Sequence, residues 1–336
     1  IGAGALAVFA LTNPFALLSF PTFWHNVARE SAIARGLLDV PYTRQFHGTW
    51  PYVYPVLQQL RWGMGWPLGI TAFGGFFYAV WRAVYKPVTA AEWVLVAWAM
   101  PFFVLVGALY AKFPRYWLPV TPLLAVYAAW ALVSLHRRVR RLAPLLIYTT
   151  LIYSLLSSLA FVNVYHSPHP WLTASAWIRE NVPQGAVIAV EQWDHPLPVG
   201  VFDDYDGVYD VFELPVFDED EAEKWEAMEA VLAEADVVIV ASRRGYATLA
   251  GWPERYPLTA RYYRQLFEGT LGFEPAACFG RYPRLGPLML RDDPAAGLDF
   301  ALPEACRSGF SLRLGRLDES FVVYDHPQVV IFQRPD

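Results

Sequence analysis

The chain has 336 residues, of which 55% are hydrophobic and 16% aromatic, while only 17% are charged. Soluble globular domains carry about 25% charged residues, so the composition argues against an ordinary cytoplasmic enzyme, and the aromatic content excludes collagen-like and disordered classes. The formal charge of −5 conceals two opposed halves: residues 1–165 hold 12 Lys and Arg against 3 acidic residues, and residues 166–336 hold 14 against 28.

The sequence opens at Ile1 inside an apolar run, with no charged leader region and no small-residue cleavage site. That pattern is expected of the C-terminal portion of a longer membrane protein and not of a signal peptide. A helix crosses a hydrocarbon core of roughly 30 Å in about 20 residues. Five stretches reach that length, about 1–20, 65–85, 90–111, 116–135 and 142–164, with cores nearly free of charge. Pro14, Pro101, Pro119 and Pro122 fall within them, as bundled membrane helices allow when neighbours re-satisfy the backbone.

Between the first two stretches, residues 21–64 are too polar to span and too aromatic to be a plain linker. Val53–Met64 is expected to lie in the membrane interface as a short amphipathic helix. Arg44, His47, Tyr52 and Tyr54 then either line a cavity at the outer surface or simply anchor the loop through an aromatic belt. The run His136-Arg137-Arg138-Val139-Arg140-Arg141 fixes a cytoplasmic connection, because short Arg-rich loops stay inside. Alternation puts Arg82 and Lys86 inside as well, and residues 21–64, 111–116 and everything after 165 outside. Lys112 and Arg115 therefore breach the positive-inside bias. With Tyr116 they are expected to hold an anionic lipid headgroup or phosphate, the alternative being ordinary snorkelling toward water.

After residue 165 helical and strand patterns alternate. Helices are expected at 173–182, Glu221–Ala235 and Leu258–Phe267, and buried strands at Ala186–Val190 and Asp236–Ala241. A late hairpin is expected from Phe321–Tyr324 and Val329–Gln333. The expected fold class is thus a polytopic α-helical membrane bundle (1–165) followed by a small extracytoplasmic α/β domain (166–336). Cys278 and Cys306 would both be external, which permits a disulfide without establishing one. Glu191, Asp194 and His195 follow a strand and either point toward the membrane cavity or form a polar turn. Asp203, Asp204, Asp206 and Asp210 have the flavour of a calcium loop but lack its closing Glu and full spacing, and read more simply as a solvated acidic loop. No zinc spacing or phosphate-cradling glycine loop is evident. The acidic tail argues against nucleic acid.

The segment Lys112-Phe113-Pro114-Arg115-Tyr116-Trp117-Leu118-Pro119-Val120-Thr121-Pro122 resembles the Arg-Tyr…Pro…Pro signature late in the membrane part of GT-C glycosyltransferases. More closely, the chain resembles family 39-like bacterial enzymes related to protein mannosyltransferases and aminoarabinose transferases. Gly36 with Pro41–Phe46 and Gly48-Thr49, Trp177-Ile178 with Asn181–Gly185, Glu191–Pro198 and Tyr324–Pro327 fit the same resemblance. It implies sugar transfer from a polyprenyl-phosphate donor to a glycan, lipid or protein acceptor at the outer face of the cytoplasmic membrane. It implies no cofactor beyond the lipid-linked donor, and leaves open whether a divalent metal assists. The family's catalytic carboxylate lies in a first external loop that has no counterpart here by position. No general base is therefore assigned, while Lys112 and Arg115 carry over as donor-phosphate contacts. Two other classes compete: a non-catalytic membrane-anchored binding or sensor protein, and a lipid-linked glycan polymerase or ligase.

Overall fold

The computed structural model describes residues 2–200, 207–307 and 309–335. A helical N-terminal region is followed by an α/β region with a mixed sheet and a disulfide.

The helical region contains α1 (Gly2–Thr12), α2 (Phe15–Leu18), α3 (Phe20–Ala34), α4 (Val53–Gln58), α5 (Trp66–Tyr85), α6 (Ala90–Ala108), α7 (Thr121–Arg138) and α8 (Ala143–Val162). The expected span at 1–20 is not one helix. Pro14 lacks an N–H and disfavours helical geometry in the residue before it, so α1 stops at Thr12, and a further break at Ser19 separates α2 from α3. At 1.5 Å per residue an 11-residue helix reaches about 16 Å, short of a bilayer core. Helix α3 continues through residues expected in the external loop. It ends at Ala34, and Gly36 just beyond has a φ of +73° and a contact with the Tyr110 ring that leave no room for a Cβ.

Two helical stretches among the described residues are long and apolar enough to cross a membrane, α6 and the one that begins at Ala143. Their outward faces expose Val94, Trp98, Leu105, Leu151, Leu155 and Leu159. A capping box between Thr89 and Glu92 starts α6, satisfying backbone donors that would otherwise be orphaned. Helices α5 and α7 cross at Gly75, where a Cβ would lie 2.4 Å from the Tyr127 carbonyl. Only glycine permits that approach, and Phe73, Phe76, Trp117, Leu124 and Tyr127 fill the core around it.

The α/β region adds α9 (Pro170–Asn181), β1 (Val187–Glu191), β2 (Asp210–Leu214), α10 (Ala222–Glu234), β3 (Val237–Val240), α11 (Arg244–Thr248), α12 (Pro257–Phe267), β4 (Glu274–Phe279), β5 (Arg284–Leu285), β6 (Leu288–Arg291), β7 (Ser311–Arg313) and β8 (Val329–Gln333). The main sheet runs β2-β1-β3-β8-β4, with β1 parallel to β2 and β3, and β8 antiparallel to both its neighbours. Side chains alternate across it. Val238 and Val240 meet α10 and α12 through Met228, Leu232, Tyr263 and Leu266, while Val237 and Ile239 meet Ala174 and Ile178 of α9. A smaller sheet has the order β5-β6-β7, and Cys278 of β4 is bridged to Cys306.

The expected strand at Phe321–Tyr324, and hence the late hairpin, is absent. Asp318 Oδ1 accepts the Ser320 N–H at 2.9 Å, and the Glu319 carbonyl accepts those of Val322 and Val323. These local bonds wind the segment into a 3₁₀ turn over Glu319–Phe321, as short Asp and Ser side chains favour. The acidic residues at 203–206 lie outside the described residues.

Candidate functional site

Residues 41–61 of the helical region fold against the α/β region. A 3₁₀ turn over Pro41–Phe46 buries Arg44. Its guanidinium donates to the Phe217 carbonyl at 2.9 Å, lies 3.3 Å from Asp39 and 3.4 Å from Glu219, and covers the Tyr256 ring. His47 stacks on Trp252 with ring centroids 3.4 Å apart. The Asp318 and Glu319 N–H groups donate to the side-chain oxygens of Gln58 and Gln45.

Tyr52 and Tyr54 separate because of one backbone angle. Tyr52 has φ +60°, a conformation costly for a side chain with a Cβ. It is held there by its N–H on the Gly107 carbonyl at 2.9 Å. Its ring lies over Phe103 and its hydroxyl donates to Val104, away from the seam. Tyr54 instead faces the seam and donates to Asp318 Oδ2 at 2.8 Å.

Between these surfaces lies a cavity of about 290 Å³, lined by Arg44, His47, Tyr54, Arg61, Arg243, Trp252, Arg316 and Glu319 among others. That is close to the lower end of the roughly 300–1,000 Å³ usual for small-molecule sites. Arg44 is neutralised by Asp39 and Glu219, and Arg243 by an ion pair with Asp292. Arg61 and Arg316 donate to carbonyls, of Arg316 and Ala247 respectively, and neither makes an ion pair among the described residues. Burial and the neighbouring Arg243 both push the Arg316 pKa down, so an anion entering here would relieve repulsion between cations.

The acidic wall is Glu319. Its carboxylate is buried, 3.5 Å from Arg244 Nε, and burial raises its pKa to about 7 although Arg244 opposes the shift. Arg244 also contacts Asp194 Oδ1 at 3.2 Å, and Asp194 Oδ2 accepts the Ser242 hydroxyl at 2.5 Å. Burial pushes Asp194 and Asp318 upward, and drives Glu191 well above the usual carboxylate range. A carboxylate that titrates near neutrality beside cations can exchange a proton with a bound group.

The sequence-predicted residues are thus dispersed. Arg44, His47 and Tyr54 line the cavity, and Asp194 is linked to it through Arg244. His195 is exposed beside Trp171, and Glu191 lies deep in the α/β core. Lys112 is 2% exposed, donates to the Tyr110 carbonyl at 2.9 Å, and sits 5.9 Å from the Phe46 ring. Burial lowers its pKa to about 8. Arg115 is exposed and stacks on Phe113 at 4.1 Å, with Tyr116 5.7 Å away. The Lys112 ammonium therefore points inward while the Arg115 guanidinium lies outside.

Arg61, Arg243, Arg316 and Glu319 escape sequence reading. Arg243 had one usable signal, its place just after β3, since loops at the carboxyl ends of parallel strands commonly form sites. No group of three or more His, Cys, Asp or Glu among the described residues is placed to hold a metal ion. No known protein family, curated protein or solved structure matches the chain.

Proposed function

We propose that this chain belongs to a membrane glycosyltransferase of the GT-C, family 39-like type, transferring a sugar from a polyprenyl-phosphate donor at the outer face of a bacterial cytoplasmic membrane. In this reading the apolar helices form a polytopic bundle whose Arg137–Arg141 end is cytoplasmic. Two long apolar helices support the membrane placement. A disulfide in the α/β region supports an extracytoplasmic location for it, because disulfides persist in oxidising compartments.

The observation that carries the donor assignment is the seam cavity in which Arg61 and Arg316 have no carboxylate partner among the described residues. A departing lipid phosphate gains negative charge as the glycosidic bond breaks. Cations already fixed around it stabilise that charge without reorganising. Arginine suits the role because its planar fork matches phosphate oxygens. Lys112, separated from Tyr54 of the cavity wall by the Phe46 ring, would add field from behind, and Arg115 with Tyr116 would meet the donor at the membrane edge.

The test is Arg61→Ala and Arg316→Ala in the full-length enzyme, with polyprenyl-phosphate sugar as donor. Charge-assisted hydrogen bonds contribute about 1.5–3 kcal/mol, so donor affinity should fall roughly ten- to hundredfold for each. Lysine at either position should recover only part of the loss. Unchanged donor affinity and turnover in well-folded variants would overturn the assignment.

A further inference from the structure

The strongest unassigned feature lies at the opposite end of the helical region. The carboxyl-terminal halves of α5 and α7 enclose an open groove of about 870 Å³. Its floor is Gly74, Gly75 and Ala131, and at Gly75 the two helices approach closely enough that a Cβ would meet Tyr127 and Ala131. Its walls are aromatic: Tyr78 stacks on both Trp81 and Trp130, with ring centroids 5.7 and 5.4 Å apart. The groove follows α5 from Gly74 to Lys86 just past its end, about 18 Å at the helical rise.

Cations gather at the mouth. Arg82 lies over the Trp130 ring at 5.6 Å and pairs with Glu92 at 3.0 Å. Lys86, Arg137 and Arg138 also line the groove, and none of them makes an ion pair among the described residues. The fold therefore joins a long aromatic and small-residue channel to a mouth holding three uncompensated positive charges. General attraction of basic loops to an anionic surface needs no such channel. A site for a free anion, conversely, needs no long groove with aromatic walls.

We propose that this groove is a binding site for an anionic phospholipid, with the phosphate at Lys86, Arg137 and Arg138 and an acyl chain laid along Tyr78, Trp130 and the glycine floor. The site rests on the membrane reading of the helices, and in that reading it opens on the cytoplasmic leaflet, on the side away from the seam cavity. Basic pockets between membrane helices on this side are suited to anionic headgroups, each Lys or Arg adding attraction. Tyr and Trp are at home at the headgroup level.

The full chain in detergent micelles would be titrated with phosphatidylglycerol and, separately, phosphatidylcholine, and bound lipid counted by native mass spectrometry. One phosphatidylglycerol should be retained in preference to phosphatidylcholine. Neutralising Lys86→Gln, Arg137→Gln and Arg138→Gln together should reduce that preference at least about tenfold. Gly74→Leu provides an arm that keeps every charge. No atom lies within 4 Å of a Cβ at this groove-lining position, so the substitution starts in open space, and retention of the lipid should fall by a similar factor. Equal retention of the two lipids by the unmodified protein, or a preference that survives either variant, would overturn the proposal. Detergent phase partitioning, measured first, separates the two levels: a protein found in the aqueous phase overturns the membrane reading, whereas one that partitions with detergent but shows no lipid preference overturns this site alone.

Discussion

Lys112 is a buried ammonium that donates to the Tyr110 carbonyl and sits among aromatic rings. Such a cation destabilises the fold, because one carbonyl and two aromatic faces replace only part of the water it has lost. Its pKa falls from 10.5 to about 8, so the unfolded chain holds more protons between those values and stability rises with pH across that window. At pH 7 both states are charged and the full cost is present. Lys112→Met should therefore stabilise the protein at pH 7, by about 2 kcal/mol once partial solvent screening is allowed for, seen as a higher urea midpoint, while weakening donor binding. A lower midpoint would show that the ammonium supports the fold. Glu319 slopes the other way. It holds its proton to about pH 7 when folded and releases it near 4.5 when unfolded, so the folded state binds more protons in that interval and stability declines as pH rises through it. Replacing Glu319 with Gln should flatten the decline between about pH 4.5 and 7 in a series of urea midpoints; an equally steep profile would assign it to Asp194, Asp318 and Glu191.

Elements were legible where periodicity and punctuation agreed. Helix α10 and strand β3 fall within a residue or so of their expected ends, because an amphipathic run and four consecutive β-branched residues have few other solutions. Strand β2 was hidden: Asp210 and Glu213 interrupt its apolar pattern, as its position at the sheet edge allows. Half of the cavity was likewise hidden, since Arg61 and Arg316 lie 255 positions apart and are joined only by tertiary folding. The 3₁₀ turn at Pro41–Phe46 shows what holds these distant segments in register. Arg44→Met would remove its bond to Phe217 and both carboxylate contacts, although Arg255 still meets Asp39 and Glu219. A cost of about 2–3 kcal/mol is expected. Amide exchange over residues 39–47 should accelerate by tenfold or more; unchanged protection would mean that His47 and Trp252 suffice to dock the turn.

At the level of the whole molecule, the charge division near residue 165 corresponds to the change from helices to an α/β sheet. The bridge from Cys278 to Cys306 closes a separation of 28 residues, for which chain entropy gives about 3–4 kcal/mol. The double variant Cys278→Ser, Cys306→Ser should lower stability of the α/β region by that order, and unmodified protein purified without reductant should resist thiol alkylation. Ready alkylation of both cysteines before reduction would contradict an oxidising location for this region.

The position of β8 has a consequence for synthesis. Strand β8 lies inside the sheet, between β3 and β4, yet follows both of them in sequence, at Val329–Gln333. Until residues 329–333 have been made and have emerged, β3 and β4 lack their common neighbour, so the sheet cannot close around the earlier strands alone. Its completion must await residues 329–333 and, if the region is exported, their passage. A tag fused to Asp336 would thus begin just beyond a buried strand, and the length of its linker would govern whether the strand can be drawn into place.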